Sequence, residues 1–427
     1  MKFLFLSFRR NILPIVFVII TFCLVIFSRS NLDAAKNGLT LWATCVVPSL
    51  FPFFIMTNLL SQTKVVDFTG KLLNKLMRPL FNVPGIGGFA FVMGLISGYP
   101  VGAKIVADFR ENGKVTKDEG ERLLAFTNNS GPLFILSSVG IALLGDTATG
   151  LLLLCTHVLS CITVGIILGK FSKKSDDEFR KTHNPTYNFF CDKSQAKNSN
   201  STITNSKDKN FTTNSLASSR DVSLRNLGGI LGNSINNSIS TILMIGGFVV
   251  IFSVIISILN QTHALDFISK FLNPILAILG FDLDFAKPLV SGIIELTNGV
   301  NQVASISIKA ISQNVVLCAF LLGFGGFSVL LQVFSIVAKT DLSMKKYVIG
   351  KFLQGIFAAI YTFLALKFLP FLNLDIIETS NVASSALTSL ANATYTFFQS
   401  LGIFSIGIII IFVIFKTFDR IYNMHKV

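Results

Sequence analysis

Charge is scarce in this sequence. Asp, Glu, Lys and Arg make up 14% of its 427 residues, where a soluble domain carries about 25%. That shortage excludes an ordinary water-soluble globule. Four histidines are present and none forms an H-x-x-x-H pair, so the helix-borne zinc site of that spacing is excluded. The six cysteines, Cys23, Cys45, Cys155, Cys161, Cys191 and Cys318, include no C-x-x-C. Most lie in apolar runs, where cysteine serves as a small core residue. His157 likewise stands alone on an apolar stretch and is expected to be a packed side chain. No Ser/His, metal-ligand or paired-carboxylate arrangement stands out, so neither an enzyme nor a cofactor is expected. The net charge of +14 does not argue for nucleic acid, because membrane proteins gather Lys and Arg on their cytoplasmic side.

What the chain has is apolar length. It is 51% hydrophobic, with 42 phenylalanines and a mean hydropathy of +0.66. Several runs approach the roughly 20 residues that cross a bilayer. The expected fold is an all-α polytopic membrane protein with about eight transmembrane helices, at 12–27, 38–60, 124–144, 147–169, 238–259, 314–336, 352–369 and 397–415. The first, ILPIVFVIITFCLVIF after Arg9 and Arg10, resembles a signal peptide. No small-x-small site follows in SRSNLDAAK, and it is expected to be a retained helix starting on the cytoplasmic side. Between 171 and 225 the chain turns to Ser, Asn, Thr and Lys, a composition that cannot bury enough apolar surface to fold. It reads as a cytoplasmic linker. The expected divisions are 1–37, 38–170, 171–225, 226–369 and 370–427.

Two amphipathic stretches, 64–81 and 263–280, are expected in the membrane interface, with a core helix as the alternative for the second. They are copies. At a shift of 199 residues, Leu60, Gln62, Thr63, Asp67, Phe68, Lys71, Leu73, Asn74 and Leu80 match Leu259, Gln261, Thr262, Asp266, Phe267, Lys270, Leu272, Asn273 and Leu279 without a gap. With 86–105 and 285–305 dipping in and returning, 29 of the 36 basic residues fall on the cytoplasmic side, Lys351 among them. Both termini are then cytoplasmic, and the two copies lie on opposite faces. The halves are therefore expected to be inverted repeats, the build of many secondary transporters.

Each half holds a broken stretch. GGFAFVMGLISGYPVGAK (87–104) carries Gly98, a Pro100 that removes a backbone donor, and Lys104. Its counterpart VSGIIELTNGVNQVAS (290–305) places Glu295, Thr297, Asn298, Asn301 and Gln302 where apolar residues are expected. Both are read as re-entrant helical hairpins, since irregular backbone at membrane depth needs a protein or water-filled surround. An intramembrane acid is functional by default. Two alternatives stand: Lys104 pairs with Glu295, or Lys104 snorkels to the cytoplasmic edge. A second interruption follows each hairpin, at Thr127–Asn128–Asn129–Ser130–Gly131–Pro132 and at Gly323–Gly325–Gly326 with Ser328 and Gln332. Gly/Pro-interrupted segments in matching halves point to a substrate site. A glycine-rich packing seam is the alternative for the second.

GLISGYPVGAK, TNNSGP and the later ELTNG resemble the YlbJ family of sporulation integral membrane proteins. More distantly the arrangement is similar to the nucleoside-recognition Gate domains and the concentrative nucleoside transporters. The resemblance covers most of 38–369. It implies a transporter, in the cell membrane or outer forespore membrane, that moves dipicolinate from the mother-cell cytoplasm during endospore formation. On that reading the expected substrate-binding residues are Ser97, Gly98, Tyr99, Lys104, Asn128, Asn129, Ser130, Glu295, Thr297, Asn298 and Asn301. Helix N-termini at 97–102 and 130–131, with Lys104, would offset the dianion. The asparagines would donate to its carboxylates or ring, and Tyr99 would stack on it. Glu295 would carry a proton or help hold a cation. The partners implied are this small anion and the lipid bilayer. A nucleoside or other metabolite transporter, and a non-transporting spore-envelope scaffold, are the competing functions.

Overall fold

The computed structural model describes residues 2–63, 65–171, 227–306 and 311–368. The expected linker from 172 onward and the expected helix at 397–415 lie outside them. Every element among the described residues is helical. Five helical stretches are long and apolar enough to cross a membrane: Ser28–Ser61, Thr147–Lys170, Leu227–Gln261, Gln313–Val337 and Lys345–Phe368. The protein is an all-α polytopic membrane protein.

After α1 (Lys2–Ile26), the two halves repeat one order of elements. The first half opens with α2 (Ser28–Leu41) and α3 (Val47–Ser61), continuous through a π-helical turn at Trp42–Val46. It continues with α4 (Val65–Phe81), the hairpin α5 (Gly87–Ser97) and α6 (Val101–Glu111), and α7 (Lys117–Thr127). Beyond a break comes a π-helical segment, Phe134–Leu143, and then α8 (Thr147–Lys170). The second half runs α9 (Leu227–Gln261), α10 (Ala264–Lys270) and α11 (Asn273–Ile278), the hairpin α12 (Ala286–Ile294) and α13 (Leu296–Ala304), the broken pair α14 (Ile311–Phe324) and α15 (Gly326–Val337), and α16 (Lys345–Phe368).

Length separates spanning helices from hairpin arms. At 1.5 Å per residue, the 24 residues of α8 reach about 36 Å, enough for a hydrocarbon core of about 30 Å. The 11-residue arms α5 and α6 reach only about 16 Å and cannot cross. The expected single span at 124–144 is corrected: α7 stops at Thr127 and the chain is non-helical from Asn128 to Gly131. The span expected at 352–369 begins seven residues earlier, at Lys345.

The amphipathic copies diverge in one respect. The first forms a single 17-residue helix. The second is split, because Pro274 stands where the first copy has Lys75. A proline ring clashes with the carbonyl four residues back and offers no N–H; that residue is Lys270, where α10 ends. Phe267, Phe271, Ile275 and Ile278 are exposed, which overturns the core-helix alternative. Val65, Phe68, Leu72 and Leu80 are likewise exposed on α4. Such outward apolar rows suit lipid contact.

The halves interlock. Helix α9 packs on α2 and α3, and α16 packs on α7, α8 and α14. At one end, Arg110 donates to both carboxylate oxygens of Asp341, at 2.8 and 2.9 Å. Lys346 reaches Glu121 at 3.3 Å and also pairs with Asp118. The Ser343 amide donates to Glu121 at 3.0 Å. These contacts tie the end of α6 and the first turns of α7 to the α15–α16 connection and the first turn of α16.

Candidate functional site

The turn of the first hairpin is a glycine position by necessity. Gly98 has φ +79° and ψ −179°, a region open essentially to glycine alone. A Cβ there would lie 2.8 Å from the Gly131 nitrogen, so the turn touches the break after α7 backbone to backbone. The arms straddle the end of α7: Cβ atoms on Gly94 and Gly102 would lie 1.8 and 2.2 Å from the Thr127 carbonyl oxygen. The second half repeats the relation. Gly326 has φ +77°, and a Cβ on it would lie 3.0 Å from the Gly292 oxygen and 3.2 Å from the Leu296 nitrogen. In both halves a hairpin turn abuts the interruption of the next helix.

The first break is lined with buried polar groups. Asn128 leaves the helix with φ −93° and ψ 94°, and Asn128, Asn129 and Ser130 are all buried. Freed backbone and amide groups at such depth need partners, and α16 and α8 supply them. Asn128 Nδ2 donates to Tyr347 Oη at 2.7 Å. Gln354 Nε2 donates to Asn129 Oδ1 at 2.8 Å, and Asn129 Nδ2 to the Phe126 carbonyl at 2.8 Å. The Ser130 amide donates to His157 Nε2 at 3.3 Å. Lys351 Nζ donates to the Asn128 carbonyl at 3.0 Å and to Gln354 Oε1 at 2.7 Å. Ser130 Oγ donates to the Leu322 carbonyl near the end of α14, at 3.3 Å, which links the two breaks. With Nε2 accepting, the neutral His157 ring carries its proton on Nδ1, and that atom is buried without a partner, as is Asn128 Oδ1.

The second hairpin turns at Glu295, buried and extended with φ −141° and ψ 119°. Its Oε2 accepts from the Asn298 amide at 2.7 Å and from Asn298 Nδ2 at 3.0 Å. It thus caps α13, placing a carboxylate at the positive end of that helix. Asn298 Nδ2 also donates to Ser253 Oγ of α9 at 2.7 Å.

Of the expected residues, the structure brings Gly98, Asn128, Asn129 and Ser130 together at the first break, and Glu295 and Asn298 at the second turn. The Ser97 hydroxyl pairs with that of Thr57 on α3. Tyr99 is buried in the cluster that includes Leu296 and Val300. Thr297 is buried and Asn301 half-buried on α13. Lys104 sits half-buried on α6, and among the described residues no ion pair joins it to Glu295. A cavity of about 300 Å³ lies elsewhere, lined by Leu279, Phe281, Gln313, Phe363 and Lys367 among others.

Sequence reasoning missed Tyr347, Lys351 and Gln354. Lys351, counted above with the cytoplasmic lysines, is 2% exposed, because α16 begins at Lys345 and carries it almost two turns inward. The three residues fall at i, i+4 and i+7, one face of a helix. That polar row on an apolar helix was the available signal.

The nucleoside-recognition (Gate) family matches residues 43–173 and 242–340, stretches that hold both hairpins and both breaks. The chain is similar to the sporulation integral membrane protein YlbJ of Bacillus subtilis (strain 168), 34% identical over 351 residues, covering 82% of this chain and 81% of the relative. No solved structure matches it. With its paired hairpins and interrupted helices, the chain belongs to the nucleoside-recognition (Gate) family of multi-pass membrane proteins, on the branch of the sporulation integral membrane protein YlbJ.

Proposed function

We propose that this protein is a secondary transporter for a small anion, dipicolinate, carrying it from the mother-cell cytoplasm across the outer forespore membrane during sporulation. The carrying observation is the matched contact of hairpin turn and helix break in both halves, Gly98 on Gly131 and Leu296 on Gly326. Interrupted helices in corresponding positions are where transporters bind cargo. The repeated order of elements, the copied stretch at a shift of 199 residues and the two Gate-matched stretches support a duplicated pair of halves, and the cytoplasmic weighting of Lys and Arg supports their inversion, with both termini cytoplasmic. Interconverting the halves then exposes one site to either side in turn. The sporulation relative favours dipicolinate, with the second amide hydrogens of Asn128 and Asn129 as donors and Tyr99 as a stacking surface. Nothing in this reading alters the cargo covalently.

The family's description favours one second reading, a nucleoside as cargo. Purified protein in proteoliposomes tests both. Saturable uptake of labelled dipicolinate, lost with Asn129→Ala and not competed by uridine, supports the proposal. Uptake of uridine instead assigns the nucleoside reading. Uptake of neither, with sporulation still supported after both hairpin turns are replaced, identifies a scaffold and overturns transport.

A further inference from the structure

We infer that the Lys351 ammonium is a resident cation of the transport site, standing at the end of the first broken helix where a coupling metal cation would otherwise be held. The inference rests on the transport reading above and deepens it: the cargo's carboxylate meets a charge built into the chain, and transport needs no sodium.

The place is defined by α7. A helix carries partial negative charge at its C-terminus, on carbonyls that lack intrahelical partners. Interrupted transporter helices hold their coupling cations with such carbonyls. Here α7 ends at Thr127, and the next carbonyl, that of Asn128, accepts from Lys351 Nζ at 3.0 Å. The second oxygen on the ammonium is Gln354 Oε1, at 2.7 Å. Both ligands are neutral oxygens, the kind a bound metal cation takes. Among the described residues no carboxylate pairs with Lys351.

The frame around the ammonium is fixed from three helices. Gln354 is held through its Nε2 by Asn129 of the break, and lies 3.4 Å from His157 Nε2 of α8. Tyr347, one turn before Lys351 on α16, holds the Asn128 side chain. An ammonium has three N–H donors, and two are engaged. The third is the donor left for an anion at the break. A buried charge lacking a counter-ion is costly in a membrane protein and marks a functional position. The helix end offsets part of that cost, and an arriving carboxylate offsets the rest. Lys351 lies outside the Gate match, which ends at 340, so this cation comes from the helix that follows the matched region.

The test uses the full chain, purified in detergent and reconstituted. Replacing sodium by choline is expected to leave both the melting temperature and dipicolinate uptake of the wild type unchanged. Lys351→Met, which keeps length and removes charge, is expected to weaken dipicolinate binding by about tenfold or more, the loss of one charge-assisted hydrogen bond. Lys351→Ala is expected to melt lower and to be restabilised by sodium, ammonium or methylammonium but not by choline. A wild type whose melting or uptake depends on sodium overturns the inference, and that measurement needs no variant to fold. So does a Lys351→Ala protein indifferent to small cations, or a Lys351→Met protein that binds dipicolinate as the wild type does. If the wild type moves no dipicolinate in any salt, the transport reading fails, while the cation dependence of melting still decides the role of Lys351.

Discussion

The contact between hairpin turn and helix break is open to a single-methyl test. Gly98→Ala places a Cβ 2.8 Å from the Gly131 nitrogen and 3.0 Å from its Cα. Both are backbone atoms that cannot rotate aside. The substitution also holds an L-residue at φ +79° and ψ −179°, a strain of about 1–3 kcal/mol. Forcing an extra methyl into a filled site adds about 1–3 kcal/mol. Gly113→Ala is the control: its φ is +64°, but a Cβ there meets nothing within 4 Å, leaving only the left-handed strain of about 1–2 kcal/mol. Trp42, the single tryptophan, reports unfolding, since its indole donates across the α9 packing seam to the Ile242 carbonyl at 3.0 Å. For a chain of this size, 1 kcal/mol corresponds to about 1–2 °C in melting temperature, extending the trend of smaller domains. Gly98→Ala should therefore melt about 2–12 °C below the wild type and Gly113→Ala about 1–4 °C below it. Uptake should fail in the first and persist in the second. Equal shifts for the two variants, or wild-type melting for Gly98→Ala, would refute the backbone contact on which the site is built.

Three further outcomes follow from local geometry. The Arg110–Asp341 pair joins the halves, yet Asp341 is half exposed, so a double-mutant cycle with alanine should give only about 0.2–1 kcal/mol, falling with added salt. The hydrogen bond from Arg110 holds the Asp341 carboxyl below its usual range; a depressed carboxylate adds stability that is present above its unfolded value of about pH 4 and lost as pH falls below it, which a melting series in pH checks. Asp146 caps α8, accepting from the Ala148 amide at 3.2 Å and the Thr149 amide at 2.7 Å, and Asp146→Ala should lower stability by about 0.5–2 kcal/mol in the same melting assay. Burial opposes the Asp146 charge, but the bonds from Thr149 and the backbone outweigh it and hold the carboxyl low, so this cap also weakens on acidification and not on raising the pH. Pro274→Lys restores the residue of the first copy and should fuse α10 with α11, read as slower amide exchange at Phe271–Asn273; unchanged exchange would show that proline is not what divides them.

What the sequence disclosed and what it hid divide along one physical line. Breaks in apolar helices announce themselves, because Gly98, Pro100 and the Asn128–Asn129 pair stand where the bilayer tolerates them only for a reason. Both hairpins and both interruptions were therefore legible, as was the amphipathic pair. Partner choice was not. Lys104 and Glu295 belong to paired hairpins, and opposite charge alone suggests a bridge, yet Glu295 is consumed by its own helix through Asn298 three residues on. Local capping needs no long-range closure and so has first claim on such an acid. Lys351 was hidden for the opposite reason. A charge count assigns lysines near the end of an apolar run to water, and its outcome turns on where the helix begins. Moving that start from 352 to Lys345 carries the ammonium from the interface into the protein. The row Tyr347, Lys351, Gln354 at i, i+4 and i+7 is the correction available without coordinates. A lysine headed for solvent has no need of an amide and a phenol on its own face, whereas one entering a helix break does, because every polar group there must find its partner inside the protein.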